Sequence, residues 1–595
     1  MASEPTRLPT SIHAPRRRTV RGDGVDLAVF TQGDPDSPTV LLVHGFPDTH
    51  RLWDAVADQL TEDYHVARYD VRGAGESGAP RKLAAYRVET LAEDLFAVAD
   101  AVSPRRPVHV VAHDWGSIQS WAAVTDRRAK TRIASFTSIS GPSLDHVGQW
   151  MRRRLARPTP ANLAQILRQL GKSWYIYLFH IPVLPALAWR TLIGPRWGAL
   201  LRRAEGVRAR PAPTVGSDAA RGIRLYRANT FSGLGRPKPR EAEIPVQVVI
   251  PTRDRFVSPA LAEDLERWIG RLWRRRVVAG HWVPLSRPGV VARVVEEFVA
   301  HIDGAPMTRG LQRARVGAPD LGFTNRLVVV TGAGHGIGRA TAAAFAERGA
   351  EVVVADLDLD AANRTAAEIG PAAYPYRVDV SDAEAMRRFA EDVADEHGVP
   401  DVVVNNAGIG IVGPFLHTTA AEWRRITDVN LLGVAHGCHA FGALMAAAGE
   451  GGHLVNLASA AAYLPHRSLS AYAATKAGVL MLSDCLRAEL AEHGVGVTAV
   501  CPGIVATDIT NTTRFAGTSE VEQRHLRANA TRAYARRGFG PDRVAGEIVR
   551  AVEQELPVVH VTPEAKLARL LSRLSPGLLR RTARITGHTP SLPGG

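Results

Sequence analysis

RLVVVTGAGHGIGRA, residues 326–340, decides the fold of the second half of this chain. Leu327–Val330 is a continuous apolar, β-branched run, which reads as a buried strand. It runs into T-G-x-x-x-G-x-G and then into an alanine-rich, helix-compatible stretch. A strand that enters a helix through such a loop is a dinucleotide-binding turn: Gly332 permits the tight turn, Gly336 lets backbone approach a pyrophosphate, and Gly338 lets the helix pack on the sheet. Phosphate then meets the helix N-terminus beside Ile337. About 20 residues on, a second strand, VVVADLD, ends at Asp356, placed for the hydroxyls of an adenosine ribose. A carboxylate there repels a 2′-phosphate and no Arg follows it, so NAD is favoured over NADP.

Outward from this turn, strands alternate with amphipathic helices in two regions, the signature of parallel α/β sheets. The later region, residues 326–562, has strands at Leu327–Val330, Glu351–Ala355, Val402–Asn405, His453–Leu457 and Gly496–Cys501. The earlier one, 19–302, has them at Thr39–Val43, His65–Tyr69, Val108–Ala112, Ile133–Ile139 and Val246–Ile250. Within it, residues 142–238 break the alternation with helical and Pro-interrupted stretches and are expected to form a helical cap. Residues 1–18 are expected to be disordered and 303–325, rich in Gly, Pro and Arg, to be a linker. Residues 563–595 form a basic amphipathic helix and tail, whose Leu face is expected to pack on the second domain; the rival reading is an interfacial helix on anionic lipid.

The N-terminal stretch has no apolar core that would mark a secretory signal. The nearest candidate for a membrane span, Trp174–Trp189, is short and interrupted by Pro182 and Pro185. Three cysteines, Cys438, Cys485 and Cys501, argue against a disulfide framework and fit a reducing, cytoplasmic setting. The net charge of +14 is uneven: residues 1–310 hold 45 Lys+Arg against 30 Asp+Glu, and the remainder 28 against 29. A solvated basic face accounts for most of this; peripheral contact with the inner membrane face is the sharper alternative. No nucleic-acid-reading motif accompanies the charge, so no nucleic acid partner is expected. No metal ligand set is expected either.

VHVVAHDWGS, residues 108–117, carries the first candidate chemistry. The strand ends in Asp114, flanked by the small Ala112 and Gly116, where a nucleophile elbow would sit. A carboxylate nucleophile makes an ester with an alkyl carbon, so the expected chemistry is displacement at carbon. Upstream, LLVHGFP at 41–47 offers the backbone N–H of Phe46, which with that of Trp115 can form an oxyanion hole. Asp70, in its own Gly-rich loop, reads as structural. Downstream, VVIPTRDRFVSP delivers Asp254 and VAGHWVP delivers His281, in the order nucleophile, acid, base; Asp145 is an alternative acid. His281 would deprotonate the hydrolytic water and Asp254 fix its tautomer.

HGFP at 44–47, HDWG at 113–116, the late Asp254 and GHW at 280–282 together resemble the epoxide hydrolases of the α/β-hydrolase fold. The resemblance covers about the first 300 residues. SWYIYLFHIP at 173–182 and LYRAN at 225–229 look like the family's two epoxide-activating segments, which assigns that role to Tyr175 and Tyr226, with Tyr177 a neighbour. Haloalkane dehalogenases also have an Asp nucleophile followed by Trp, but resemble HGNP where this chain has Phe46. The elbow holds no Ser, which disfavours an esterase.

The second half is similar to the short-chain dehydrogenases/reductases. Asn405-Asn406-Ala407-Gly408 is the family's NNAG; Asp379 and Val380 fall where adenine is contacted, and Pro502, Gly503 and Thr507 where the nicotinamide lies. Asn430, Ser459, Tyr472 and Lys476 stand in the family's catalytic order. Tyr472 and Lys476 are four residues apart on a helix and share a face, so the Lys476 cation is expected to lower the phenol's pKa. Ser459 would hold the substrate oxygen and Asn430 a water of the proton relay.

The expected architecture is therefore α/β throughout: an α/β-hydrolase fold with an inserted helical cap, then a Rossmann-type doubly wound parallel sheet. The resemblance to fusions of these families in actinobacteria implies a bifunctional enzyme acting on a hydrophobic or lipid epoxide and on an alcohol or ketone. A homo-oligomer through the dehydrogenase is the family expectation. The alternatives are a dehalogenase-like hydrolase, or a non-catalytic ligand-binding hydrolase domain fused to an active dehydrogenase.

Overall fold

Alternate residues of the apolar runs face opposite sides of their sheets, which is why these runs become central strands. In the computed structural model, which describes residues 15–207, 210–318, 322–507 and 509–585, Leu41, Val43, Val108 and Val110 enter one core layer and Val40, Leu42 and Val111 the other. Each such side chain contributes about 1.5–3 kcal/mol on burial. The chain divides into two compact units, Met1–Ala318 and Pro319–Gly595.

The first unit holds eight strands: β1 (Arg16–Arg21), β2 (Asp26–Gln32), β3 (Thr39–Val43), β4 (His65–Tyr69), β5 (Val108–His113), β6 (Ile133–Ile139), β7 (Val246–Pro251) and β8 (Leu272–Val277). Their order is β1-β2-β4-β3-β5-β6-β7-β8, antiparallel at β1–β2 and β2–β4 and parallel from there on. Between β6 and β7 the chain leaves the sheet for the cap, helices from Leu144–Ala156 to Val215–Gly235. Its helix starts are written locally. Ser143 and Thr159 cap Leu144–Ala156 and Pro160–Lys172 with their side chains, and Gly206 ends Trp197–Glu205 in the left-handed conformation.

Two expected boundaries are corrected. The N-terminal segment is not disordered up to residue 18: Arg16–Arg21 pairs with β2 and buries Val20, while residues 1–14 lie outside the described residues. The 303–325 segment is not linker throughout. Thr308 caps a helix, Arg309–Ala314, whose Leu311 and Ala314 are buried with Trp273 and Phe298, so this turn belongs to the first unit.

The second unit has a seven-stranded parallel sheet of β9 (Leu327–Thr331), β10 (Glu351–Asp356), β11 (Ala373–Arg377), β12 (Val402–Asn405), β14 (Gly452–Leu457), β15 (Val495–Cys501) and β17 (Val558–His560). The short β13 (Ile411–Val412) and β16 (Arg514–Phe515) pair separately. The order β11-β10-β9-β12-β14-β15-β17 reverses direction between β9 and β12, the switch point at which doubly wound sheets bind ligands. One stretch, Ala420–Ala448, is long and apolar enough to cross a membrane by composition, but it packs its buried face on this sheet.

The C-terminal segment corrects a third expectation. Pro563–Leu574 docks through Ala565 and Ala568, and its Leu567, Leu570 and Leu574 remain exposed. The small residues allow close approach, while Thr562 caps the helix and Glu564 accepts from the Ile504 N–H. Residues 586–595 lie outside the described residues.

Candidate active sites

Asp114 stands at the end of β5 with φ 51 and ψ −124, strained backbone for a non-glycine residue. The helix Trp115–Val124 starts directly after it, so the chain must reverse where β3 and β6 lie close. Gly116 is what makes this possible: a Cβ there would meet the Val43 oxygen at 2.3 Å and the His44 oxygen at 2.4 Å. Gly116→Ala is therefore expected to destabilise the first unit by about 3 kcal/mol or more, read as a lowered midpoint in chemical denaturation.

The carboxylate of Asp114 is held from two sides. Its Oδ1 accepts from the Phe46 N–H at 2.8 Å, and its Oδ2 lies 3.5 Å from His281 Nε2. Trp115 is the first residue of its helix, so its N–H is among the donors the helix leaves free. His281 Nδ1 meets Asp254 Oδ2 at 2.8 Å, and Asp254 Oδ1 accepts from the Phe256 and Val257 N–H groups at 2.7 and 2.9 Å. Burial alone would push the imidazole down, but the carboxylates of Asp254 and Asp114 outweigh it and raise His281 to about 10. Burial opposes ionisation of Asp254 too, yet His281 and the two backbone donors hold it below the ordinary range. Asp145 is engaged elsewhere, with Arg240 and the Lys238 N–H. Asp70 accepts from His50 and from the Glu76 N–H, a structural knot.

The cap brings both expected phenols over this carboxylate. Tyr175 and Tyr226 have ring centroids 5.9 Å apart, and the Trp115 ring stands 4.8 Å from that of Tyr226. Burial first, and then the Asp114 charge among their neighbours, raise both phenols far above their ordinary value, so they remain donors. Tyr177 is not in the site: it is exposed against Phe231. The Phe46 ring packs between Phe179, Trp189 and Tyr226, giving an apolar wall.

Three neighbours escaped the sequence reading. Asp48 is pushed up to about 7 by burial, with the Asp114 charge adding and the Trp282 indole opposing; it follows HGFP directly. His113, the first residue of HDWG, meets the His281 carbonyl through Nε2 at 2.9 Å. Lys172 Nζ donates to the Asp254 carbonyl at 2.5 Å, so a cap helix ties the acid's loop in place. His113 was legible as part of a quoted motif and Asp48 as the residue next to one; Lys172 had no local signal.

In the second unit the glycine loop turns as its spacing implies. Gly332 and Gly336 have φ 62 and 53, and a Cβ on Gly338 would meet the Gly332 oxygen at 2.1 Å. The helix Gly336–Ala346 begins within the loop, with Ile337 in its first turn, and Thr507 lies against Gly336. Asp356 ends β10 and accepts the Gly334 N–H at 2.8 Å. Asn406 ties the loop to β12 by donating to the Thr331 and Gly332 oxygens, each at 3.0 Å, with Ala407 and Gly408 following. Asp379 orders the turn before Val380 by accepting from Ser381. Pro502 and Gly503 leave β15 beneath Glu564, an anchor that sequence reasoning missed.

Asn430 sits in a widened helical turn, Asp428–Leu432, where its Oδ1 accepts the Ile409 N–H at 2.8 Å and its amide donates to the Ile409 oxygen at 3.0 Å. Lys476 Nζ donates to the Leu457 oxygen at 2.7 Å, and Ser459 stands beside the Tyr472 phenol. The expected lowering of Tyr472 by Lys476 is corrected. Burial pushes the phenol up to about 12 and the ammonium down to about 8, and Lys476 lies 5.9 Å from the ring centroid, engaged with the carbonyl. The glycine cradle, the strand-end carboxylate and the Tyr–Lys pair fit a nicotinamide dinucleotide.

Comparisons match each of the two units. The short chain dehydrogenase family model matches residues 326–516 and the α/β hydrolase fold model residues 38–288. The Probable oxidoreductase EphD of Mycobacterium tuberculosis (strain ATCC 25618 / H37Rv) is 45% identical over 577 residues, covering 95% of this chain and 97% of its own length. The Sorbitol dehydrogenase of Cereibacter sphaeroides is 37% identical over 180 residues, 30% of this chain and 70% of that one. Among solved structures, a short chain dehydrogenase/reductase from Burkholderia phymatum in complex with NAD has TM-score 0.40 and 29% identity, covering 44% of this chain and 96% of that one. An epoxide hydrolase from Bacillus megaterium has TM-score 0.41 and 21% identity, covering 48% and 100%.

Proposed function

The chain belongs to the family of α/β-hydrolase and short-chain dehydrogenase fusions that includes the mycobacterial EphD proteins, and on that premise we propose that it hydrates an epoxide to a vicinal diol and oxidises an alcohol with NAD. The observation that carries the first activity is the Asp114 carboxylate itself, one oxygen on the Phe46 N–H and the other facing His281, beneath two phenols. Asp114 Oδ2 attacks an epoxide carbon, the ring C–O bond breaks, and the alkoxide takes a proton from Tyr175 or Tyr226. Ester formation removes one of the two carboxylate charges that hold His281 up, so its pKa falls, its proton passes to the phenolate left by ring opening, and the neutral imidazole becomes a base. His281 takes a proton from water, which adds to the ester carbonyl while Phe46 and Trp115 N–H groups stabilise the oxyanion. Collapse breaks the ester C–O bond, the leaving oxygen takes the proton of the added hydroxyl to complete the diol, and the Asp114 carboxylate is left beside a protonated His281, as at the start.

In the second unit, a nicotinamide dinucleotide would supply the hydride chemistry when bound. Gly332, Gly336, Ile337 and Gly338 would hold its phosphates, Asp356 its adenosine ribose, and Asp379 and Val380 its adenine. Asn406, Ala407, Gly408, Pro502, Gly503 and Thr507 line the rest of its path. Ser459 orients the substrate oxygen, Tyr472 moves the proton, and Lys476 and Asn430 continue the relay. Asp356 favours NAD, because a 2′-phosphate beside it places two anions together. We expect kcat/KM with NAD to exceed that with NADP by about a hundredfold, and Asp356→Ala to lose about ten- to a hundredfold with NAD.

The two steps are proposed to run in sequence on a hydrophobic substrate, from epoxide through diol to hydroxyketone. The test is to supply the full chain with a lipophilic epoxide and NAD. Diol followed by NADH supports the sequence; diol without NADH from any diol the hydrolase makes removes the coupling and leaves two separate activities.

A further inference from the structure

Residues 146–204 contain ten Lys and Arg and no Asp or Glu. This stretch builds most of the cap, and its outer side is apolar. Leu167 is 67% exposed, Trp174 62%, Val183 71%, Leu184 65% and Leu187 51%. Soluble proteins rarely leave so many large apolar side chains in one short run uncovered. At the turn between two cap helices, exposed Val183 holds φ 63, strained backbone for a β-branched residue.

Arg153 and Arg154 of this stretch pair with Glu263 and Asp264, but other charges around this surface have no such partner. Arg168, Arg190, Arg196, Arg202 and Arg203 are exposed and make no ion pair among the described residues. Arg190 and Arg202 line, with Arg210, a cavity of about 1140 Å³ that has no carboxylate in its wall. Exposed aromatic and aliphatic side chains beside free guanidinium groups are the chemistry of a surface that rests at a lipid–water boundary with anionic headgroups. A second copy of this chain is disfavoured as the occupant, since these five arginines would meet the same five on the other copy.

We propose that the outer face of the cap, from Leu167 to Leu192, docks on anionic phospholipid, with the cavity of Arg190, Arg202 and Arg210 receiving a headgroup phosphate. The short helix Trp174–Phe179 links this face to the site below: Trp174 and Tyr177 point out, while Tyr175 meets Tyr226 above Asp114. Docking therefore sets the cap phenols one helix thickness from the lipid, which suits a substrate drawn from a membrane. That last step rests on the epoxide reading; the docking does not.

The test is flotation of the full chain with vesicles of phosphatidylglycerol and phosphatidylcholine, against phosphatidylcholine alone. The chain is expected to float with the anionic vesicles, about tenfold more than with the neutral ones, and less as salt rises. Leu184→Asp/Leu187→Asp, at exposed positions, should lower flotation at least about tenfold while hydration of a short, water-soluble epoxide stays unchanged. Arg190→Gln/Arg202→Gln should lower it and flatten its salt dependence. Failure to float, or equal flotation of the leucine variant, overturns the proposal. Loss only with Leu570→Asp/Leu574→Asp moves the contact to the C-terminal helix and overturns it equally. So does a dimer without vesicles that the leucine variant dissociates, which puts a second copy on this face. Flotation without diol from any epoxide overturns the epoxide reading and leaves the docking standing.

Discussion

Asp114→Ala is expected to abolish epoxide turnover, by about ten-thousandfold or more, with the dehydrogenase rate unchanged. The loss is that large because no neighbour can replace the nucleophile. Asp254 faces His281 with one oxygen and two backbone donors with the other, and Asp48, pushed up to about 7, is a weaker anion at neutral pH. His281→Gln should behave differently. It leaves the attacking carboxylate and both phenols in place, so ring opening proceeds and the ester accumulates. Steady-state turnover falls by about a thousandfold or more, and rapid quenching should show one burst of epoxide consumption per chain. Equal loss of the burst and of the steady state would mean that His281 serves the first step.

Tyr472→Phe is expected to lower kcat of the dehydrogenase by about a thousandfold while NAD binding, followed by quenching of intrinsic fluorescence, stays near its original value. The hydroxyl alone is removed, and with it the group that moves the proton. The sign of the pH dependence follows from burial. Oxidation needs the phenolate, and burial holds the phenol near 12, so the rate should climb as pH rises above neutrality. Tyr472→Phe should flatten that rise. Lys476→Ala should weaken cofactor binding as well as kcat, which separates the two roles.

Much of this was legible in the sequence because the chemistry sits on strand ends. Asp114, Asp254, Asn405, Ser459 and the glycine loop each follow an apolar run, and such runs become central strands whose C-terminal ends converge. What was illegible depends on distant partners. β1, with its run of arginines, looks like a polar tail until β2 pairs with it. The helix Arg309–Ala314 has one strong core residue, Leu311, too few to mark it as buried. The leucines of Pro563–Leu574 follow helical spacing, yet the alanines make the contact, because a close approach needs small side chains. The state of Tyr472 could not be read from its spacing to Lys476, since the Leu457 carbonyl takes the ammonium. Lys172, from the cap, reaches the Asp254 carbonyl across 82 residues of sequence.

The central claim is that Asp114 forms an ester with an epoxide carbon, and intact-protein mass spectrometry of His281→Gln mixed with a lipophilic terminal epoxide tests it most directly. A mass gain equal to that of the epoxide, absent when Asp114 is also changed to Ala, is the predicted result. No adduct across a range of epoxides, from a folded protein that still binds NAD, would contradict it and turn the first unit towards a haloalkane substrate or a ligand-binding role.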